Sequence, residues 1–272
     1  MTKKSTKTSP SKKDLKTRKT LRPVRANAGV HEWYRSELLK LVREMDKSYR
    51  YWLEGAYKNN MAMDSSPANE LKRRLSRLGK QWEHKFNELA KKLADRFVDK
   101  TLRNTDVSLH SALKAGGFTV KFTMNDELKN VMQAVVNENV NLIKSIPEHY
   151  HTQVETIVMQ SVSRGRDLGD LTDELVKRYG ITRRRAETIA RDQNNKATAV
   201  IQSERQKKLG ITKGIWRHSH AGKQPRPSHV KADGKEFDLD KGLYLDGEWV
   251  LPGEAINCRC TWSPVIPGID RK

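Results

Sequence analysis

The chain has 272 residues, a net charge of +20 and 36% hydrophobic residues, a balance that suits small cores and disfavours one large core spanning both ends. It has no apolar run of about 18 residues and no apolar stretch after its basic N-terminus, so we expect neither a membrane span nor a secretory signal. The two cysteines form one Cys-x-Cys pair that cannot staple such a chain, which favours a cytosolic protein with reduced thiols.

Residues 1–28 are predicted to form a disordered basic tail, because ten lysines and arginines lie within the first 25 residues against Asp14 alone. Residues 181–212 hold a second basic excess, eight residues against three acids. A solvated surface is the alternative interpretation of each run. We predict sequence-independent contacts with the phosphates of double-stranded DNA for Lys3, Lys4, Lys12, Lys13, Arg18, Lys19, Arg183, Arg184, Arg185 and Arg191.

Residues 29–115 are predicted to form a helical N-terminal region. Apolar side chains recur at three- and four-residue spacing from Val30 to about Asn59. Ser66 and Pro67 then supply an N-cap and a first-turn proline for a long helix with nearly heptad apolar spacing. We expect this helix to pair with its predecessor or with another copy of the chain, so self-association is one prediction.

Gly116-Gly117 and a change in composition place a domain boundary near residues 115–124, followed by a short strand-favouring run, Phe118–Phe122. Four helices are predicted beyond it: one capped by Asn125 or Thr123 and stopped by Pro147, one over 148–163, one over 168–179 closed by Gly180, and one capped by Thr182 and closed by Gly210. The short turn between the last two resembles helix-turn-helix spacing, although the second helix is long for a recognition helix.

Residues 213–267 are predicted to form a compact turn-rich unit. Both cysteines, three of eight histidines and three of six tryptophans lie between Trp216 and Trp262. Asp233-Gly234 and Asp246-Gly247 each predict a hairpin, because both residues tolerate the positive φ of a type I′ turn. Trp216, Trp249 and Trp262 are predicted to build a small core. The predicted fold class is mainly α with a small C-terminal α+β unit, in which short hairpins pack on a helical pedestal.

His229, Cys258 and Cys260, with His218 or His220 nearby, are residue types that could hold tetrahedral Zn²⁺. A unit of under about 60 residues with few large apolar side chains often needs a metal or covalent staple. The Cys-x-Cys spacing differs from that of usual zinc knuckles, however. Small buried cysteines and a locally hydrogen-bonded histidine are therefore the favoured interpretation, in which no cofactor is bound.

An enzymatic alternative is a metal-dependent nuclease that uses His229, Cys258 and Cys260, because His229 near Asp233, together with Asn257, loosely resembles a His-Asn nuclease. The helix that would close such a site is missing after Asn257. The sequence also lacks a Gly-x-Ser-x-Gly nucleophile elbow and a phosphate-binding loop. We therefore expect a non-enzymatic protein.

An ordered series of short motifs over residues 125–267 resembles the minor head protein family of tailed phages, which includes phage Mu protein F and head morphogenesis proteins. The motif residues are Trp216, Arg226, His229, Asp233, Gly234, Pro252, Gly253, Asn257, Cys258 and Cys260. One departure is that many members have Trp-x-Thr-Ser followed by an acid. His218 replaces the threonine here, and residues 220–223 occupy the acidic position.

This resemblance implies a minor head (minor capsid) protein that acts in head morphogenesis and virion assembly, encoded by a phage or prophage. The family module would span residues 116–272. Its expected partners are the portal protein, capsid or scaffold proteins and, non-specifically, DNA, with no membrane involved. Its expected location is the interior of the virion head, reached from the host cytoplasm during assembly.

Overall fold

The computed structural model describes residues 18–58, 67–164, 168–221 and 224–270, which form five helices and six strands. The helices are α1 (Ala28–Lys58), α2 (Pro67–Ala115), α3 (Asp126–Ser163), α4 (Leu168–Lys208) and α5 (Pro227–Ala232). The strands are β1 (Arg18–Thr20), β2 (Lys213–Arg217), β3 (Glu236–Asp238), β4 (Leu243–Leu245), β5 (Glu248–Val250) and β6 (Thr261–Asp270). The predicted fold class is confirmed. Each described helix is too short or too polar to cross a membrane.

The four long helices pack around one core, which we call the helical core. The buried Tyr34 ring of α1 stacks on Phe97 of α2 with centroids 4.3 Å apart, and its hydroxyl donates to Asn139 Oδ1 of α3 at 2.9 Å. Asn139 donates in turn to Gln193 of α4 at 2.9 Å, so one series of buried contacts joins all four helices. Helices from both sides of the predicted boundary share this core, and the division into three domains stays a prediction.

The connection from α2 to α3 differs in part from its prediction. Helix α2 continues to Ala115, at the start of the predicted boundary, and its Leu109 and Leu113 are buried in a second core. The predicted strand at 118–122 is wrong: the segment is extended but unpaired, and its alternate side chains pack against the second core. Asn125 caps α3 as predicted, since its Oδ1 accepts the Leu128 N–H at 3.3 Å.

The predicted helix breaks at Pro147 and Gly180 are wrong, because both residues lie inside continuous helices, α3 and α4. Pro147 removes one backbone hydrogen bond, at a typical cost of about 3 kcal/mol, and Gly180 costs about 1 kcal/mol relative to alanine. Burial of apolar side chains on both sides of each position offsets these costs. Thr182 therefore lies within α4 rather than capping it, and its hydroxyl donates to the Arg178 carbonyl. A helix-turn-helix is excluded at this position.

The C-terminal unit is built on an antiparallel sheet in the order β1-β6-β2-β3. Strand β1 comes from the predicted disordered tail, and Leu21 and Val24 after it are buried in the second core. The prediction of disorder is therefore wrong for residues 18–28, because their apolar side chains find a partner surface on β6 and α2. Residues 1–17, which form the rest of the predicted tail, lie outside the described residues.

The two predicted hairpins have different outcomes. Asp246 and Gly247 have φ values of 53° and 93° and join β4 to β5 as predicted. The other prediction is wrong, because His229 belongs to α5, which begins with a favourable first-turn proline at Pro227. Asp233 has φ −55° and Gly234 has φ 78°, as in a type II turn, and α5 rather than a strand lies directly before Asp233.

The second core is built around two tryptophans rather than three. Trp216 and Trp262 are fully buried, and Phe237 packs edge-to-face against both rings with centroids 6.0 Å from each. The prediction is wrong for Trp249, which is 60% exposed and packs on Tyr244 instead. Successive strand residues face opposite sides, so the burial of Val250 turns Trp249 outward.

Candidate functional site

The three candidate metal ligands converge beside the second core. His229 lies on α5, whereas Cys258 and Cys260 lie on the segment before β6, and all three side chains are buried. His229 Nδ1 is 3.4 Å from Cys258 Sγ and 3.8 Å from Cys260 Sγ, and the three ligand atoms lie within 4.8 Å of one another. Both cysteines are free thiols. We call this group the thiol–imidazole cluster.

Backbone conformation and hydrogen bonds position the two cysteines. Asn257 has φ 59°, a left-handed conformation that asparagine tolerates better than most residues. Asn195 of α4 donates to the Cys258 carbonyl at 3.0 Å, and the Gly253 N–H donates to Cys258 Sγ at 3.3 Å. Gly253 has φ 92°, and a Cβ there would lie 3.2 Å from the Cys260 carbonyl oxygen, so this position disfavours a side chain.

Hydrogen bonds onto sulfur make the two thiols electrostatically unequal. The pKa of Cys258 is lowered, first by a hydrogen bond from the Cys260 thiol and then by backbone N–H groups and His229, against the effect of burial. The pKa of Cys260 is raised, first because it donates to Cys258 and then because it is buried. The buried Trp216 indole packs edge-to-face on His229, with centroids 5.3 Å apart. Of the two sulfurs, Cys258 is therefore the one at which a thiolate is favoured.

Other residues of the predicted motif support the loops around this cluster. Arg226 donates to the Ile256 carbonyl at 2.9 Å. The His218 N–H donates to Asp233 Oδ1 at 2.8 Å, and the Gly234 N–H donates to the Trp216 carbonyl at 2.9 Å. Pro252 is buried beside Gly253. The structure thus brings the motif residues together in one unit, where these contacts shape its loops.

A cleft of about 620 Å³ opens beside the cluster, between the segment before α1, the middle of α4 and the end of β2. Its basic lining residues are Arg25, His31, Arg191, Arg217, His218 and Arg259. No carboxylate of the described residues lines it, and we call it the cationic cleft. Cys260 is also part of the lining, so the cluster adjoins the cleft.

The positive charge of the cationic cleft is only partly neutralised. Arg191 lies 3.4 Å from Asp192 and also donates to Asn257. Arg25, Arg217 and Arg259 are exposed and form no ion pair with a carboxylate in the described part of the chain. Burial lowers the pKa of His31, and nearby arginines, including Arg191 and Arg259, lower it further against the opposing effect of Glu32. The cleft is therefore suited to an anionic ligand.

Residues 152–263 match the family model described as phage Mu protein F like protein. This part of the chain is similar to that family. An "Uncharacterized protein" of Haemophilus influenzae (strain ATCC 51907 / DSM 11121 / KW20 / Rd) is 28% identical over 251 residues, covering 90% of this chain and 55% of the relative. The chain thus spans about half the length of that curated relative. No solved structure matches the chain.

The phage Mu protein F like part contains the end of α3, all of α4 and most of the C-terminal unit. It therefore includes the thiol–imidazole cluster and all the predicted motif residues. The predicted resemblance is confirmed, although the match begins at residue 152 rather than 125. Helices α1 and α2 lie outside it. The similarity to this family suggests a role in phage head morphogenesis.

The basic residues predicted to bind DNA are dispersed in the structure. Arg183 pairs with Glu187 at 3.4 Å, Arg185 donates to Ser145 Oγ at 2.9 Å, and Arg184 is exposed. Arg191 alone of these arginines lines the cationic cleft. Arg18 and Lys19 lie in β1, whereas Lys3, Lys4, Lys12 and Lys13 lie outside the described residues.

Three arginines of the cationic cleft were not predicted from the sequence: Arg25, Arg217 and Arg259. A signal was available for two of them, since Arg217 directly follows Trp216 and Arg259 separates the two cysteines. No such signal existed for Arg25, because it lies in the predicted tail. Arg25 lines the cleft because Leu21 and Val24 pack in the second core and hold this segment in place.

Proposed function

We propose that this protein is a non-enzymatic minor head protein that docks to the portal or the procapsid interior and contacts packaged DNA non-specifically. Similarity to the phage Mu protein F like family supports the role in head assembly. The observation that carries the DNA contact is the cationic cleft, lined by four arginines and two histidines and by no carboxylate of the described residues.

Arginine side chains that surround a cleft can bind the phosphates of a DNA backbone without recognising bases. Such binding releases counterions and therefore weakens steeply with salt. It suits a protein enclosed with DNA of arbitrary sequence. An acidic surface on an assembly partner could offer similar charge, and competition between that partner and DNA distinguishes the two ligands.

The thiol–imidazole cluster does not favour the nuclease alternative. His229 is 4% exposed, and Cys258 and Cys260 are each 5% exposed, so a phosphodiester has little direct access to these side chains. A nuclease would cut plasmid DNA with a divalent metal, and His229→Ala would abolish the cutting. We expect no cutting by the unmodified protein under these conditions.

Docking is tested by co-purification with the neighbouring phage structural proteins, using the full chain and a form that lacks residues 1–17. This truncation keeps β1 and the buried segment after it. We expect both forms to co-purify with portal or procapsid, because the folded module would provide the docking surface. Failure of both forms to associate with either particle would contradict the docking proposal.

DNA contact is tested by fluorescence anisotropy with a duplex of arbitrary sequence over a salt series. The double variant Arg25→Gln/Arg259→Gln removes two charges from the cationic cleft. We expect the magnitude of the slope of log K against log salt to fall by about 1.8, because each of the two lost phosphate contacts contributes about 0.9 to it. An unchanged slope would contradict DNA binding in the cleft, and competition by purified portal would identify an acidic partner instead.

Two matched double variants locate the interaction. Arg183→Gln/Arg184→Gln removes two charges of the predicted arginine run, and Arg77→Gln/Lys80→Gln removes two exposed charges on α2. We expect both to keep nearly the original salt slope. If Arg183→Gln/Arg184→Gln changed the salt slope more than the cleft variant does, DNA would bind at the arginine run instead.

A further inference from the structure

We propose that His229, Cys258 and Cys260 bind a zinc ion that joins α5 to the loop before β6. In a tetrahedral site with Zn–S about 2.3 Å and Zn–N about 2.0–2.1 Å, a sulfur ligand and a nitrogen ligand lie about 3.6 Å apart. The two S···N distances to His229 Nδ1 are 3.4 and 3.8 Å, on either side of this value. Since all three ligand atoms lie within 4.8 Å of one another, one ion can contact all of them.

The ligand types select the metal. Two thiolates and an imidazole suit zinc, whereas calcium and magnesium prefer oxygen ligands. No carboxylate in the described part of the chain belongs to this cluster.

Groups around the sulfurs are placed as the outer shell of a metal site requires. The Gly253 N–H already donates to Cys258 Sγ at 3.3 Å, a contact that stabilises a metal-bound thiolate. The buried Trp216 indole N–H makes no regular hydrogen bond in the described residues and lies close to Cys260. A zinc-bound thiolate at Cys260 gives this donor a strong acceptor.

The fourth zinc ligand is water. No fourth His, Cys, Asp or Glu of the described residues belongs to the cluster. Cys260 also lines the cationic cleft, so the remaining coordination position opens toward solvent on that side. The ion links two segments that are far apart in sequence and held by few large apolar side chains, so its binding energy stabilises the C-terminal unit. This zinc site does not depend on the proposed head function.

The test begins with the full unmodified chain, purified without chelators under reducing conditions. We expect about one zinc per chain by elemental mass spectrometry. After removal of zinc, titration with Co²⁺ should produce thiolate-to-cobalt charge-transfer bands and the visible spectrum of a tetrahedral site. Absence of bound zinc together with absence of these bands would overturn the proposal, and so would a Cys258–Cys260 disulfide in the freshly purified protein.

Variants assign the ligands. We expect Cys258→Ser and His229→Asn to lose at least nine-tenths of the bound zinc, whereas His149→Asn, at an exposed histidine of α3, should keep about one zinc per chain. Full zinc retention by Cys258→Ser would overturn the ligand assignment. If the variants do not fold, the cobalt spectrum of the unmodified protein still decides the proposal. A chelator should also lower the melting temperature of the unmodified protein reversibly, with recovery on addition of Zn²⁺.

Discussion

The helical core and the C-terminal unit achieve stability by different means. The four helices of the helical core are 31–49 residues long and bury apolar side chains at regular helical spacing. The strands of the C-terminal unit have only three to ten residues and surround Trp216, Phe237 and Trp262. In the helical core, stability is distributed over many similar apolar contacts. In the C-terminal unit, it depends on a few contacts. Single substitutions should therefore affect the two regions differently.

The largest expected effect comes from Trp262, which is fully buried and donates from its indole to Gln206 Oε1 at 2.8 Å. We expect Trp262→Ala to lower the free energy of unfolding by about 3–5 kcal/mol, because it leaves a cavity and an unpaired amide. Trp249→Ala, at a 60% exposed position, should change it by less than about 0.5 kcal/mol. Urea unfolding followed by near-ultraviolet circular dichroism measures both, and equal effects would contradict a core built on two tryptophans.

Arg205 tests how strongly the two regions are coupled. Its guanidinium donates to both carboxylate oxygens of Asp106 at 2.8 and 2.7 Å and to the Thr123 carbonyl, which joins α2, α4 and the segment before α3. We expect Arg205→Met to lower the free energy of unfolding by about 1–3 kcal/mol, because it leaves a partly buried Asp106 without its partner. Calorimetry should show separate melting of the two regions in this variant, whereas unchanged stability would contradict the coupling.

High pH should destabilise the helical core selectively, because burial raises the pKa values of Tyr34, Tyr49 and Tyr150. A pKa raised on folding contributes stability that is complete below the unfolded value of about 10 and is lost at higher pH, by up to about 1.4 kcal/mol per pH unit for each tyrosine. Urea midpoints measured at increasing pH should therefore fall above about pH 10. Tyr34→Phe should reduce this slope by about one proton, and an unchanged slope would contradict the assignment.

The smallest expected effect is a gain in stability at Gly180. A Cβ there would contact only the Arg184 guanidinium at 3.7 Å, so alanine fits within α4. We expect Gly180→Ala to raise the free energy of unfolding by about 0.8–1 kcal/mol, and thermal melting can detect this change. Gly79→Ala is the matched control in α2. Its Cβ would lie 2.7 Å from the His151 ring, so this substitution should destabilise the protein.

Local sequence patterns predicted the features that depend on neighbouring residues. The Asn125 cap and the Asp246-Gly247 hairpin follow from backbone preferences within a few residues, and the structure confirms both. The same local rules failed at Pro147 and Gly180, because packing of the flanking turns outweighs a modest local cost. They also failed for the strand predicted before Asp233, where Pro227 begins a short helix instead.

The candidate site was predictable in its residue types but not in its surroundings. His229, Cys258 and Cys260 stood out as metal-ligating types within one turn-rich stretch, and they lie together in the structure. The cationic cleft could not be foreseen, because Arg25 and Arg191 belong to segments far apart in sequence. Their proximity depends on how the segment before α1 packs against α4.

The sequence by itself determined the mainly helical architecture, the turn-rich C-terminal unit and the family resemblance, because periodicity and motif order are properties of neighbouring residues. Only the tertiary structure decided which helix-breaking residues are tolerated, which tryptophans are buried and which arginines surround the cleft. Burial and electrostatic interactions depend on distances through space. Those distances are established only when segments remote in sequence pack together.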